Sequence, residues 1–153
     1  MSSHPAAVSV PRSVRWSVRC WFAAVAAGVV ATAIWALTSQ EYHAAVQLPV
    51  RAAVYLIATA LISQLGRGRG WARIALTALL GGVGLLSLLA EPFSWLAAGG
   101  STAEFLAAAD GATLAVLAVR IAHVAAVLAA LVLMYRPTAN VFFGHVAKKE
   151  QVT

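Results

Sequence analysis

Four long apolar stretches separated by short polar connections dominate the chain. The hydrocarbon core of a bilayer is about 30 Å thick and an α-helix rises about 1.5 Å per residue, so about 20 mostly apolar residues make one span. The pattern predicts spans over about 20–38, 46–65, 71–90 and 111–135. The first holds no charge, the second holds Arg51, the third begins near Arg73, and the fourth holds Arg120 and His123. The expected fold is all-α, a transmembrane four-helix bundle over 20–135. A basic juxtamembrane tail (1–19) precedes it and a second tail (136–153) follows. One alternative is a cleaved signal peptide, because three arginines precede the first run and Ala31-Thr32-Ala33 fits a small-x-small site. Against it, Ile34-Trp35-Ala36-Leu37 carry the run past that site.

Composition supports the spans. Of 153 residues, 61% are hydrophobic and 10% charged, and the mean hydropathy is +0.83. A soluble domain carries about 25% charged residues. A soluble globule, a disordered tail and a nucleic-acid-binding domain are all disfavoured. The net charge of +6 and pI near 10.5 do not restore nucleic acid as a partner, because the basic residues flank apolar runs. Cys20, the only cysteine, excludes an intramolecular disulfide, a CxxC pair and a thiolate metal cluster.

The charges instead predict orientation. Arg12, Arg15 and Arg19 precede the first span, Arg67, Arg69 and Arg73 lie around the second connection, and Arg136, Lys148 and Lys149 follow the fourth. The first and third connections hold Glu41, Glu91, Glu104 and Asp110 but no Lys or Arg. Short cytoplasmic loops retain Lys and Arg, so both termini are expected in the cytoplasm and the protein in the plasma membrane. The six arginines from Arg12 to Arg73, outside the second span, are expected to meet anionic inner-leaflet lipid. Trp16, Trp21, Trp71 and Tyr135 are expected at the inner interface, and Trp35, Tyr42 and Trp95 at the outer one. Residues 101–110 are too short to span. With Ser101 or Thr102 as N-cap and Glu104 in the first turn, they predict a short surface helix or an extension of the fourth span.

The run Gly68-Arg69-Gly70-Trp71-Ala72-Arg73-Ile74 and the ending Tyr135-Arg136-Pro137-Thr138-Ala139-Asn140-Val141-Phe142-Phe143 together resemble a group of small four-helix membrane proteins of high-GC actinobacteria. The resemblance covers about half the chain. It implies a plasma-membrane location and carries over no catalytic residue. Read directly, the glycines let a short loop reverse, and Pro137 ends or bends the fourth helix. Phe142 and Phe143 followed by Lys148 and Lys149 predict an interfacial segment.

The intramembrane charges are the candidate chemistry. Arg51 lies about 21 Å from Leu65 and Arg120 about 22 Å from Tyr135 at the helical rise, which puts both near one depth, close to Glu91. His123 is one turn deeper than Arg120 on the same face. Arg51, Glu91, Arg120 and His123 thus form a candidate polar cluster, in which Glu91 satisfies the buried guanidinium of Arg51 or of Arg120, the arginines snorkel, or an anion binds. No spacing supports haem or zinc, and no cofactor is expected. Ala24, Gly28 and Thr32 in the first span and Gly81, Gly82 and Gly84 in the third are small faces that suit each other or a homodimer. Gly-x-Ser-x-Gly, HExxH and CxxC are absent, and the first span lacks the acid expected of a small multidrug exporter. The expected function is a non-enzymatic accessory or scaffold subunit that binds other membrane or envelope proteins. The alternative is a small transporter or channel component with an outward-facing site at Arg51, Arg120 and His123.

Overall fold

The computed structural model describes residues 9–38 and 44–150. The Glu41, Tyr42 and His43 positions lie outside these residues. The chain is an all-α multi-pass membrane protein: four helices are long and apolar enough to cross a bilayer. In chain order they are α1 (Arg12–Thr38), α2 (Ala44–Gly66), a third span, and α6 (Gly111–Met134). The third span runs over Gly70–Ala97 as α3 (Gly70–Leu76), a π-helical stretch (Thr77–Gly84) and α4 (Leu85–Ala97). A short α5 (Thr102–Ala108) precedes α6, and α7 (Pro137–Glu150) follows it.

Two spans are longer than the apolar pattern predicts. The first begins at Arg12 rather than near residue 20, so the basic segment is the first two turns of the spanning helix. The third continues through Pro92 to Ala97 instead of stopping near residue 90. Pro92 removes one N–H from the helical ladder but does not break the helix here, and Glu91 sits on the helix instead of in a loop.

α1 and α6 form the principal pair, and α2 packs on α1. The buried stripe of α1 is Val14, Ser17, Trp21, Ala24, Gly28 and Thr32, at the three-and-four spacing that puts side chains on one helical face. The small residues of this stripe let helices approach closely, and the Ser17 hydroxyl donates across the gap to the Ala130 carbonyl at 2.9 Å. The first-span small face therefore packs on α6 and α2, not on the glycines of the third span. Those glycines lie in the π-helical stretch, where Gly81 faces the Leu131 side chain of α6.

The core gathers at the end where α1 begins, α2 meets α3 and α6 gives way to α7, here the basic end. Trp21, Ile62, Leu65, Leu76 and Met134 are all fully buried there. Trp21 is thus a core residue and not an interfacial anchor, whereas Trp16, Trp71 and Tyr135 are about half exposed, as an interfacial ring should be. α7 is also a correction. Pro137 opens it at the position where a missing N–H is harmless. Its Ala139, Phe142 and Phe143 are buried against the bundle, so this apolar face docks on protein rather than lying on lipid. Gly68, at φ 84°, makes the α2–α3 turn, and a Cβ there would lie 3.1 Å from the Phe142 ring.

The other end, which holds Glu91, Glu104 and Asp110, is the acidic end. Between Thr77 and Ala97 no side chain is fully buried.

Candidate functional site

The acidic end brings together part of the predicted cluster. Arg120 Nη2 donates to Glu91 Oε2 at 2.9 Å and pairs α6 with α4. The contact is a single ion pair, and Glu91 is 67% exposed, so its second oxygen remains open to another cation.

Two clefts meet at this pair. One, of about 360 Å³, lies between α1, α4, α5 and α6 and is polar at its rim: Trp35, Thr38, Glu91, Phe105, Asp110, Thr113 and Arg120 line it. The other, of about 390 Å³, is walled by Pro92, Trp95, Leu96, Phe105, Leu106 and Leu117 and shares Glu91 and Arg120. Both fall in the size range of small-molecule sites.

Local sequence explains the walls. Ser101 caps α5 by accepting from the Glu104 N–H at 3.4 Å, as the sequence predicts, and α5 ends before α6 begins, so it is a separate helix. Gly99, at φ 89°, turns the chain, and a Cβ on Gly100 would fall inside the Trp95 indole. That close approach lets Trp95 meet Phe105 edge-on, with ring centroids 5.8 Å apart. Asp110 caps α6: its Oδ1 accepts from the Thr113 N–H at 2.8 Å. Bonds from Thr113 hold the Asp110 carboxyl below the usual carboxylate range, so it stays ionised at the cleft rim.

Arg51 and His123 do not join the Arg120–Glu91 pair. Arg51 Nη1 reaches Thr32 Oγ1 on α1 at 3.3 Å. Thr32 gives its own proton to the Gly28 carbonyl at 2.9 Å, so Tyr55 is the donor in the 2.8 Å bond between the two hydroxyls. Over Gly28 the Tyr55 ring from α2 and the His123 ring from α6 come within 3.1 and 3.4 Å of the point a Cβ would occupy. Two polar groupings therefore replace one cluster: Arg120 with Glu91, and Arg51 with Thr32 and Tyr55, next to His123. Tyr55 escaped the sequence reading, although it lies four residues from Arg51 on the same helical face. Among the described residues no three His, Cys, Asp or Glu side chains group to hold a metal.

Of the six arginines expected at lipid, Arg12, Arg15, Arg19, Arg67 and Arg69 are exposed. Arg73 is not free for lipid. Its Nη2 donates to Asn140 Oδ1 at 2.7 Å, and its guanidinium lies 4.6 Å from the Tyr135 ring centroid and 4.8 Å from that of Phe143. Asn140 Nδ2 returns to the Tyr135 carbonyl. The two sequence motifs at 68–74 and 135–143 are therefore halves of one latch.

The fold and these sites define the class, an α-helical multi-pass membrane protein with a latched basic end and an open acidic end. Comparison of the chain with protein-family models, with curated proteins and with solved structures finds no match in any of the three.

Proposed function

We propose that the protein is a non-enzymatic accessory subunit of the plasma membrane that recruits a second membrane protein through its acidic half. The observation that carries this reading is the uneven packing of the bundle. The basic half closes on itself, while the third span buries no side chain over Thr77–Ala97 and still displays an ion pair there. Charges within a span normally face protein or water. Arg51 is exposed on α2 and, among the described residues, bonds to Thr32 alone, which suits a carboxylate on a neighbouring helix. The charge distribution supports both termini in the cytoplasm, with the acidic end outside. Co-purification in mild detergent tests the reading. A stoichiometric membrane partner that is lost on Arg51→Ala supports it, and a stable homo-oligomer with solute flux in liposomes overturns it.

One observation favours a second reading, a small transporter component. The clefts open at the acidic end and the buried core closes the bundle below them, the shape of a carrier open to one side. Solute flux in liposomes, abolished by Arg120→Ala, is its test.

A further inference from the structure

Two charged groups of the acidic half, on different helices, have bonding capacity to spare. Arg51, on α2, is exposed and, among the described residues, bonds to Thr32 alone. Glu91, on α4, is 67% exposed and gives Arg120 only its Oε2. Helical rise puts Arg51 and Arg120 about equally far from the basic end, and Glu91 is bonded to Arg120, so all three share one level. Within one chain Arg51 and Glu91 do not pair, because α2 packs on α3 but has no comparable contact with the π-helical stretch or α4. The exposure of α2 follows this parting. Val46, Val50, Ile57, Leu61 and Gln64 stand four, seven, four and three residues apart, on one helical face. Leu61 and Gln64, toward α3, are half-buried, whereas Val46, Val50 and Ile57 are each more than half exposed. On α4, Ser87 and Ser94 flank Glu91 by one turn on either side, and both are exposed. Their hydroxyls bond back to the Gly84 and Glu91 carbonyls at 2.9 Å. The surface around Glu91 is therefore small-sided and permits close approach of another helix.

We propose that these two faces close on a second copy of the chain, in a two-fold dimer where Arg51 of each copy pairs with the open Oε1 of Glu91 of the partner subunit. A two-fold axis normal to the membrane keeps every residue at its own depth and sets the α2 side of one copy against the α4 side of the other. Complementary charges on those sides must then lie at one level, as Arg51 and Glu91 do. Each Glu91 serves two guanidiniums, one per oxygen, and neither Arg51 is left facing lipid. A foreign helix with a single acid answers Arg51 but leaves Glu91 open, and so does an anionic lipid. The inference rests on the reading that Arg51 serves a carboxylate on a neighbouring helix, and it names that carboxylate.

Energy transfer between donor- and acceptor-labelled full chains, diluted stepwise in liposomes, tests the inference. The unaltered chain is expected to dimerise. Arg51→Gln removes both pairs and is expected to weaken the dimer about a hundredfold, as is Glu91→Gln, at about tenfold per pair, the scale of one charge-assisted bond. An equal mixture of the two variants restores one pair, so the mixed dimer is expected to form about tenfold more tightly than either variant alone. A general loss of fold cannot produce that recovery. A chain that stays monomeric at every dilution overturns the inference, and so does a mixture no tighter than its parents. A monomer that retains a different membrane protein through Arg51 overturns the inference and leaves the accessory-subunit reading standing. Recovery in the mixture, by a dimer that also carries solute, upholds the inference and overturns that reading.

Discussion

The basic and acidic halves of the bundle are made from the same alanine- and leucine-rich helices, yet they pack differently. In the basic half, large side chains meet small partners: Trp21 lies in one cluster with Ala24 and Ala130, and Phe142 and Phe143 with Ala72 and Ala139. In the acidic half the large side chains turn away: Val83, Leu86 and Phe93 are each more than 60% exposed. Within a bilayer, lipid tails are as apolar as leucine, so hydrophobicity alone does not press helices together. Shape and polar contacts do. The basic half has both, including the Ser17–Ala130 bond and the Arg73 latch, whereas the acidic half relies on Arg120–Glu91, the Arg51–Thr32–Tyr55 bonds and the Trp95–Phe105 contact.

The contrast is open to breaking. Trp21→Ala should remove about 3 kcal/mol of stability, the usual scale for emptying a buried aromatic site. Phe93→Ala, on the exposed face of α4, should change stability by less than about 0.5 kcal/mol. Unfolding in detergent reads both, and comparable losses would remove the distinction between the halves. Gly28→Val should come next, at about 2 kcal/mol, because the new side chain must displace Tyr55 and His123. Arg73→Ala should cost about 1 kcal/mol and release α7 selectively. Hydrogen exchange should then rise over Pro137–Glu150 and not over α4, and a uniform rise would deny the latch its local role. The smallest effect concerns Asp110. Its carboxyl is held below its ordinary value in the folded state, so the contribution of its cap is complete above that ordinary value. It fades as pH falls through the lowered one. Protection of the first-turn amides of α6, measured against their free exchange rates, should fall only in that acid range, and Asp110→Asn should abolish this pH dependence.

The four spans were legible because length and apolar composition are sufficient to detect them. The Arg120–Glu91 pairing was legible as one of two options, since helical rise places both residues near one level. The α5 cap was legible from Ser101 and Glu104 alone. Much of the packing was not. An apolar residue in a membrane helix reads the same whether it faces lipid or protein, so Trp21 suggested an interface although it stands in line with Val14, Ser17, Ala24 and Gly28. Arg73 read as a lipid contact because its partners, Tyr135, Asn140 and Phe143, lie more than 60 residues away in sequence. The apolar pattern placed the end of the third span near residue 90, yet the span runs on to Ala97.

The π-helical stretch also bears on insertions and deletions. It holds more residues per turn than an α-helix, which makes it a store of spare chain. Removing Gly82 lets the stretch tighten to α geometry while α4 keeps its angular phase, and Glu91 still faces Arg120. Adding one alanine after Gly84 has no such outlet and turns Glu91 by about 100° around the helix, off its partner. A short bifunctional thiol reagent should cross-link cysteines placed at 91 and 120 in the deletion and fail to do so in the insertion. The third span is thus tolerant of losing a residue and intolerant of gaining one.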